Sequence, residues 1–474
     1  MLAVLANLPA HDVSSKAIMP DILFEYQRIA PMTWVYVSSL LTIGLFFKFS
    51  RLWSIRNLDL MLLILLAPGL VLVDRGLSKS AIGYEQAGYI WLFAITGIFL
   101  IRMLLDPMMV RRPLLEPNLS VGGMTFIGVS LLVFLMANVV NSNVSREDLA
   151  AAQDKAPTPL VETPPDASQP APEPEAPKLT HGPGYPLLYW LPKIPTQVFI
   201  PRNLNQQPGQ GTDVAGIAAA RTMAILSHLM IIIGIVLIGY RHFDNIKTGS
   251  AAALLYLLLP YTAQLTGRVD HVLPAALLVW AVEAYRRPFS AGVFMGLAIG
   301  TIYYPLFLLP LWLSFYWQRG FMRFGAGVLT AIAVLTVTLI FTSDNAAMFW
   351  TQLKSMFAWP ALAGKGSEGF WSFDFIDPVY RIPVVAAFFA MCGSFALWPA
   401  QKNLGTLMSC SAAVMLATQF WNANAGGLYI AWFLPLMLLT IFRPNLEDRV
   451  ALTVLGEGWR GRKRPALVGA ERAA

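Results

Sequence analysis

Arg268, Asp270 and His271 stand almost side by side in a short polar break between two apolar runs. Their types allow chemistry that the runs do not. A guanidinium forks onto phosphate oxygens, so Arg268 is a candidate grip for a phosphorylated ligand. Asp270 can orient such a ligand or take a proton, with the His271 imidazole beside it. The bland alternative is an Arg–Asp pair that merely caps two helices and contributes little at a surface. A second acidic pair, Asp374 and Asp377, lies among the loop aromatics Trp350, Trp359, Phe370, Trp371 and Phe373. His181 sits in another polar segment and can meet an acceptor molecule, although loop histidines are common without such a role. His228 is alone on an apolar face and reads as a hydrogen-bonded core residue. Arg221 opens an apolar run and is expected to snorkel to headgroups.

The motifs of soluble catalysis are missing: no Walker loop, no zinc-type His/Cys cluster and no GxSxG elbow. Cys392 and Cys410, the two cysteines, both lie within apolar runs and read as small core residues. No cofactor follows from the sequence. The formal charge of +7 does not argue for nucleic acid, because the basic residues sit at the ends of apolar runs.

The elements that must position these residues are membrane helices. Of 474 residues, 56 % are hydrophobic and 13 % charged, against about a quarter charged in soluble domains. A helix needs about 20 mostly apolar residues to cross a bilayer. Such runs start near Thr33, Asn57, Tyr89 and Ser120, and resume near Gly216, Gly249, Val269, Ser290, Phe324, Ile382, Leu404 and Gly427. The run from Ser290 to Trp317 is too long for one span and is broken at Tyr303-Tyr304-Pro305. With arginines at both ends it is expected to be a tight helical hairpin or a re-entrant pair. The fold class predicted is therefore all-α, a polytopic transmembrane bundle of about 13 helices.

Between the fourth and fifth runs the composition turns to Pro, Ala, Glu and Asp, which predicts a disordered linker over 142–180. The positions of Lys and Arg put the N-terminus outside and the tail in the cytoplasm. Lys48, Arg51, Arg56, Arg111, Arg112, Arg241, Lys247, Arg286, Arg287, Arg319, Arg323 and Lys402 all fall on the tail's side. The loop with Arg75 and Lys79 is the exception among the short ones. The divisions expected are an outer segment 1–32, four helices over 33–141, the linker, a core over 181–443 with an outer loop 343–381, and a basic tail 444–474.

The order of features from Ala218 to Trp317 carries a resemblance. Ala-Ala-Arg221 opens a helix that ends at Gly239-Tyr240-Arg241. A Leu-rich run follows to Pro260-Tyr261, then Gly267-Arg268-Val269-Asp270-His271, then an Ala291-Gly292 start. This order resembles the core of the GT-C superfamily of membrane glycosyltransferases. Ahead of it, His181-Gly-Pro-Gly-Tyr185-Pro186-Leu187 is similar to the His/Tyr-Pro-Pro-Leu motif of the first outer loop in many such enzymes. The resemblance implies a polyprenyl-phosphate-linked sugar donor, an active site at the outer face and a bilayer-embedded protein with an acceptor still to be identified. It further implies an acidic general base on the first outer loop of the core, where Glu147 and Asp148 lie and Asp148 is the candidate. Tyr185, by its place in the motif, becomes a substrate-binding candidate with His181. The chain departs from the family in lacking a Lys near Tyr303-Tyr304 and in carrying three additional helices and the long linker.

Two other functions compete. A transporter or flippase would use broken helices and mid-depth ionisable residues, and the Tyr303–Pro305 break is its natural site. A non-catalytic membrane scaffold would use the linker as a tether. The style of loops and tail suggests a bacterial inner membrane.

Overall fold

A computed structural model of the protein describes residues 30–79, 81–109, 116–141, 144, 148, 184–185, 187–189, 214–342, 345–346, 349–350, 353, 369–373, 376–422, 429–446, 449–451 and 455. The described residues form fourteen α-helices and several short 3-10 turns. The helices are α1 (Pro31–Phe46), α2 (Ile55–Lys79), α3 (Ile82–Leu105), α4 (Val121–Asn141), α5 (Val214–Arg241), α6 (Ile246–Leu258) and α7 (Pro260–Gln264). They continue with α8 (Val269–Glu283), α9 (Pro288–Thr301), α10 (Leu309–Phe315), α11 (Phe321–Thr342), α12 (Arg381–Leu397), α13 (Leu404–Trp421) and α14 (Leu434–Phe442). Among the described residues there is no strand, only an isolated bridge between Asn403 and Val450. Six helices, α2, α3, α4, α5, α11 and α13, are long and apolar enough to cross a membrane. The described residues are all-α, and six such helices fit a multi-pass membrane protein. Other apolar helices, among them α1, α6, α9 and α12, are shorter than a full crossing. The linker predicted over 142–180 lies outside the described residues except for Val144 and Asp148.

Local chemistry sets the helix ends. Asn245 and Asn403 cap α6 and α13 by accepting the backbone N–H of Thr248 at 3.2 Å and of Thr406 at 2.8 Å. Proline opens α7 and α9, where its missing N–H costs nothing.

The broken run near Tyr303 is a hairpin, and glycines show why. A Cβ on Gly292 would meet the Phe324 carbonyl oxygen at 2.2 Å, and one on Gly327 would meet that of Phe289 at 2.1 Å. Further along, Gly296 faces Ala331 and Gly300 faces Leu335. The partner advances as α9 advances, so α9 and α11 run parallel with their backbones nearly touching. Two parallel neighbours need a return between them. The 3-10 turn Tyr304–Leu308 and α10 supply it. The return closes where Tyr316 donates from its phenol to the Tyr285 carbonyl at 2.6 Å.

Helix ends gather at two poles. At one, Lys48 bonds Asn118, Arg443 bonds Asp106, and the Leu404 N–H bonds the Arg449 carbonyl. Arg449 reaches Asp244, and Arg241 reaches Glu283. The loops expected on the tail's side therefore meet at this pole wherever they are described. A buried ion network anchors it: Arg102 holds Asp59 at 2.8 and 3.0 Å and Asp106 at 3.1 Å, and Arg443 holds Asp106 at 2.7 Å. It ties the N-terminal helices to the end of α14. Between the poles α13 is the central pillar, buried along its whole length.

Candidate functional site

The opposite pole collects the candidate residues. Tyr185 and Tyr189 are four residues apart in helical backbone, so their rings share a face. Both phenols donate to the same carboxylate oxygen, Oδ1 of Asp148, Tyr189 at 2.9 Å. Asp148 was placed by sequence at the head of a solvated acidic linker, yet its exposure is 0 %. A buried carboxylate is costly unless hydrogen bonds satisfy it, and the two phenols do that for Oδ1. Burial first, and then the Asp148 charge, pushes the ionisation of Tyr185 and Tyr189 well above the ordinary tyrosine value. They remain protonated donors near neutral pH. The segment seats tightly: a Cβ on Gly184 would lie 3.0 Å from the Gly300 backbone at the end of α9.

Arg268 immediately precedes α8, and Asp270 and His271 lie in its first turn. An acid there is favoured by the helix N-terminus. Arg268 clasps Asp270 with two parallel bonds, Nε to Oδ1 at 3.1 Å and Nη2 to Oδ2 at 2.9 Å. The Arg268 side chain is 34 % exposed and the Asp270 side chain 1 %. The sequence put all three residues in a short loop at interface depth; only Arg268 reaches the surface. Burial alone would lower the Arg268 pKa, but the hydrogen bond and charge of Asp270, with Asp148 adding, leave it raised. Arg268 therefore stays charged. His271 is buried, its Nδ1 bonded to the Tyr261 hydroxyl and its Nε2 at 3.7 Å from Asp270. Its ring lies 4.6 Å from Tyr429, and Trp432 donates its indole N–H to the Asp270 carbonyl at 3.1 Å.

The two halves sense each other. Asp148 acts electrostatically on Arg268, and Asp270 acts on Tyr185 and Tyr189. The cluster brings two carboxylates, one guanidinium and one imidazole together. Such a cluster can take a proton from a hydroxyl and can stabilise positive charge developing nearby. Among the described residues no three or more His, Cys, Asp or Glu side chains are grouped to hold a metal ion.

Other sequence candidates fall elsewhere. Asp377 is exposed and accepts the Val379 N–H at 2.9 Å, capping the turn Pro378–Tyr380. Asp374 and His181 lie outside the described residues. Arg221 is buried and not at the headgroup surface. His228 is a core histidine as expected, held by the Thr266 carbonyl and the Tyr256 hydroxyl, each at 3.0 Å. Sequence reading missed Tyr189, Tyr261, Tyr429 and Trp432. Only Tyr189 left a signal, its spacing of four from Tyr185. No protein-family model matches the chain, and no curated protein matches it.

Proposed function

We propose that the protein is a membrane glycosyltransferase resembling the GT-C superfamily, moving a sugar from a polyprenyl-phosphate donor to an acceptor hydroxyl at the outer face. In this reading the pole with Lys48, Arg241 and Arg443 is cytoplasmic, as the positive-inside rule requires, and the carboxylate pole is extracytoplasmic. About thirteen helical segments then cross or enter the membrane, the N-terminus lies outside, and the membrane is a bacterial inner membrane. The observation that carries the reading is the electrostatic coupling of Asp148 with Arg268 and of Asp270 with the Asp148-bound tyrosines, in one cluster at the end of the bundle away from the basic loops.

Asp148 is the general base. It takes the proton of the acceptor hydroxyl as that oxygen attacks the anomeric carbon. The bond from the anomeric carbon to the phosphate oxygen breaks, and polyprenyl phosphate leaves with the electron pair. Positive charge develops on the sugar ring in such displacements, and the carboxylates favour it. Tyr185 and Tyr189 aim Asp148; Arg268, with two nitrogens committed to Asp270, positions that carboxylate. The test is the envelope glycan profile of cells carrying Asp148→Asn or Asp270→Asn at wild-type membrane levels. Loss of one glycan is expected. Unchanged profiles in both variants refute the reading, and substrate flux into proteoliposomes without transfer would favour a transporter.

A further inference from the structure

A second cation lies near this cluster, and no acid among the described residues answers it. Arg381 opens α12 at 3 % exposure. Its Nε donates to the Trp421 carbonyl at the end of α13, and Nη2 lies 3.5 Å from Asn422 Oδ1. Among the described residues it forms no ion pair. The C-terminus of α13 offers it at most about half a negative charge. A buried guanidinium so poorly compensated is expensive, and the bland role of capping one helix does not require burying a charge.

Besides the two oxygens that hold it, the groups around it include hydroxyl and amide donors. Asn422 Nδ2 donates to the hydroxyl of Tyr303 at 3.2 Å and also to that of Tyr304. The two rings stack at 4.2 Å. Tyr304 gives its hydrogen to the Tyr303 oxygen, and Tyr303 keeps its own to give. Tyr304 packs against Trp432 at 5.1 Å, and Trp432 holds the Asp270 carbonyl. One aromatic ring thus separates this group from the carboxylate cluster. The contrast is one of partners: Arg268 is occupied by the Asp270 carboxylate, whereas Arg381 meets only an uncharged carbonyl and amide.

We infer that Arg381, with Tyr303, Tyr304 and Asn422, forms an anion subsite for a phosphate group, distinct from the Arg268–Asp270 pair. The inference deepens the transferase reading, because it assigns the donor's phosphate to Arg381 and leaves the acidic cluster to the acceptor. Guanidinium and phenol donors suit phosphate oxygens, and like charge at the acidic cluster repels them.

The test is equilibrium binding to the purified full-length protein in nanodiscs, with farnesyl phosphate, inorganic phosphate and farnesol as probes. Farnesyl phosphate is expected to bind at least about tenfold more tightly than farnesol, as a charge-assisted contact requires. Arg381→Gln should remove that advantage, Arg381→Lys should keep part of it, and Arg268→Gln should change it by less than about threefold. Tyr303→Phe, which keeps the ring and its packing, should weaken farnesyl phosphate by a few-fold and guards against a folding artefact in Arg381→Gln. Inorganic phosphate bound with the same Arg381 dependence would make a free phosphate sufficient; binding of farnesyl phosphate alone would make the ligand a lipid headgroup. Farnesyl phosphate that binds Arg381→Gln as it binds wild type, or that depends on Arg268 instead, overturns the inference. Arg381-dependent binding without any sugar transfer would leave the subsite standing and sink the transferase reading. Transfer that survives Arg381→Gln with unchanged KM would do the reverse.

Discussion

Replacing Arg443 by Met tests how the N-terminal helices are joined to the rest. The guanidinium bonds Asp106 Oδ2 through Nε at 3.2 Å and Nη2 at 2.7 Å. Asp106 is 0 % exposed and the Arg443 side chain 7 %, so solvent offers little screening. Removing one partner of a buried pair costs about 3–5 kcal/mol, because the other charge stays buried. Arg102 still reaches Asp106 at 3.1 Å while holding Asp59, which sets the expectation at the low end, about 3 kcal/mol. The double variant Asp106→Asn with Arg443→Met removes the stranded charge and leaves Arg102 with Asp59. Its cost should be smaller than that of Arg443→Met alone by at least ~1 kcal/mol, despite the second substitution. Unfolding of the purified protein in mixed micelles, followed by circular dichroism against rising SDS, measures all three. A single substitution costing less than about 1 kcal/mol, or costs that simply add, would refute the reasoning.

Two further outcomes follow from packing and protonation. Gly292→Val must push α9 off α11, since its Cβ would lie 2.2 Å from a backbone oxygen; a loss of at least ~2 kcal/mol is expected in the same assay. Gly128→Val, with nothing within 4 Å, should stay within about 0.5 kcal/mol. His242, just past α5, is held neutral mainly by burial, with Arg286 and Arg241 adding, so its pKa lies below the ordinary histidine value. A base with a depressed folded pKa contributes stability above its unfolded pKa of about 6.5 and loses it as pH falls further. His242→Gln should therefore flatten the acid side of the stability curve, and an identical acid limb in the variant would exclude His242 as its source.

Much of this architecture could be read from one-dimensional pattern, because a bilayer permits few backbone solutions. The Leu- and Ala-rich runs, the break at Tyr303-Tyr304-Pro305 and the placement of Lys and Arg all act locally, and they anticipated the helices, the hairpin and the basic pole. Arg268 and Asp270 were conspicuous for the same reason: a charge next to an apolar run announces its own cost. Asp148 drew notice only through the family resemblance, since its composition argued for a solvated linker while the structure buries it under two tyrosines. What stayed hidden depends on partners far apart in sequence. Asp106 and Arg443 are 337 residues apart, and neither has a flanking pattern that names the other. In the sequence position 381 only bounds the outer loop 343–381; the end of α13 and Asn422, which also holds Tyr303 and Tyr304, come to it from far along the chain. The glycines of α9 and α11 are ordinary in any apolar helix, and only the parallel contact shows why side chains are excluded there.

Donor turnover by the purified protein tests the central claim most directly. The protein is reconstituted with a polyprenyl-phosphate sugar fraction from its own membranes, and release of free polyprenyl phosphate is followed by mass spectrometry. Wild type should consume the donor, and Asp148→Asn should bind it equally well yet turn it over at least about 100-fold more slowly, the usual contribution of a general base. Turnover in Asp148→Asn within about threefold of wild type, or a wild-type protein that releases no polyprenyl phosphate, would contradict the account.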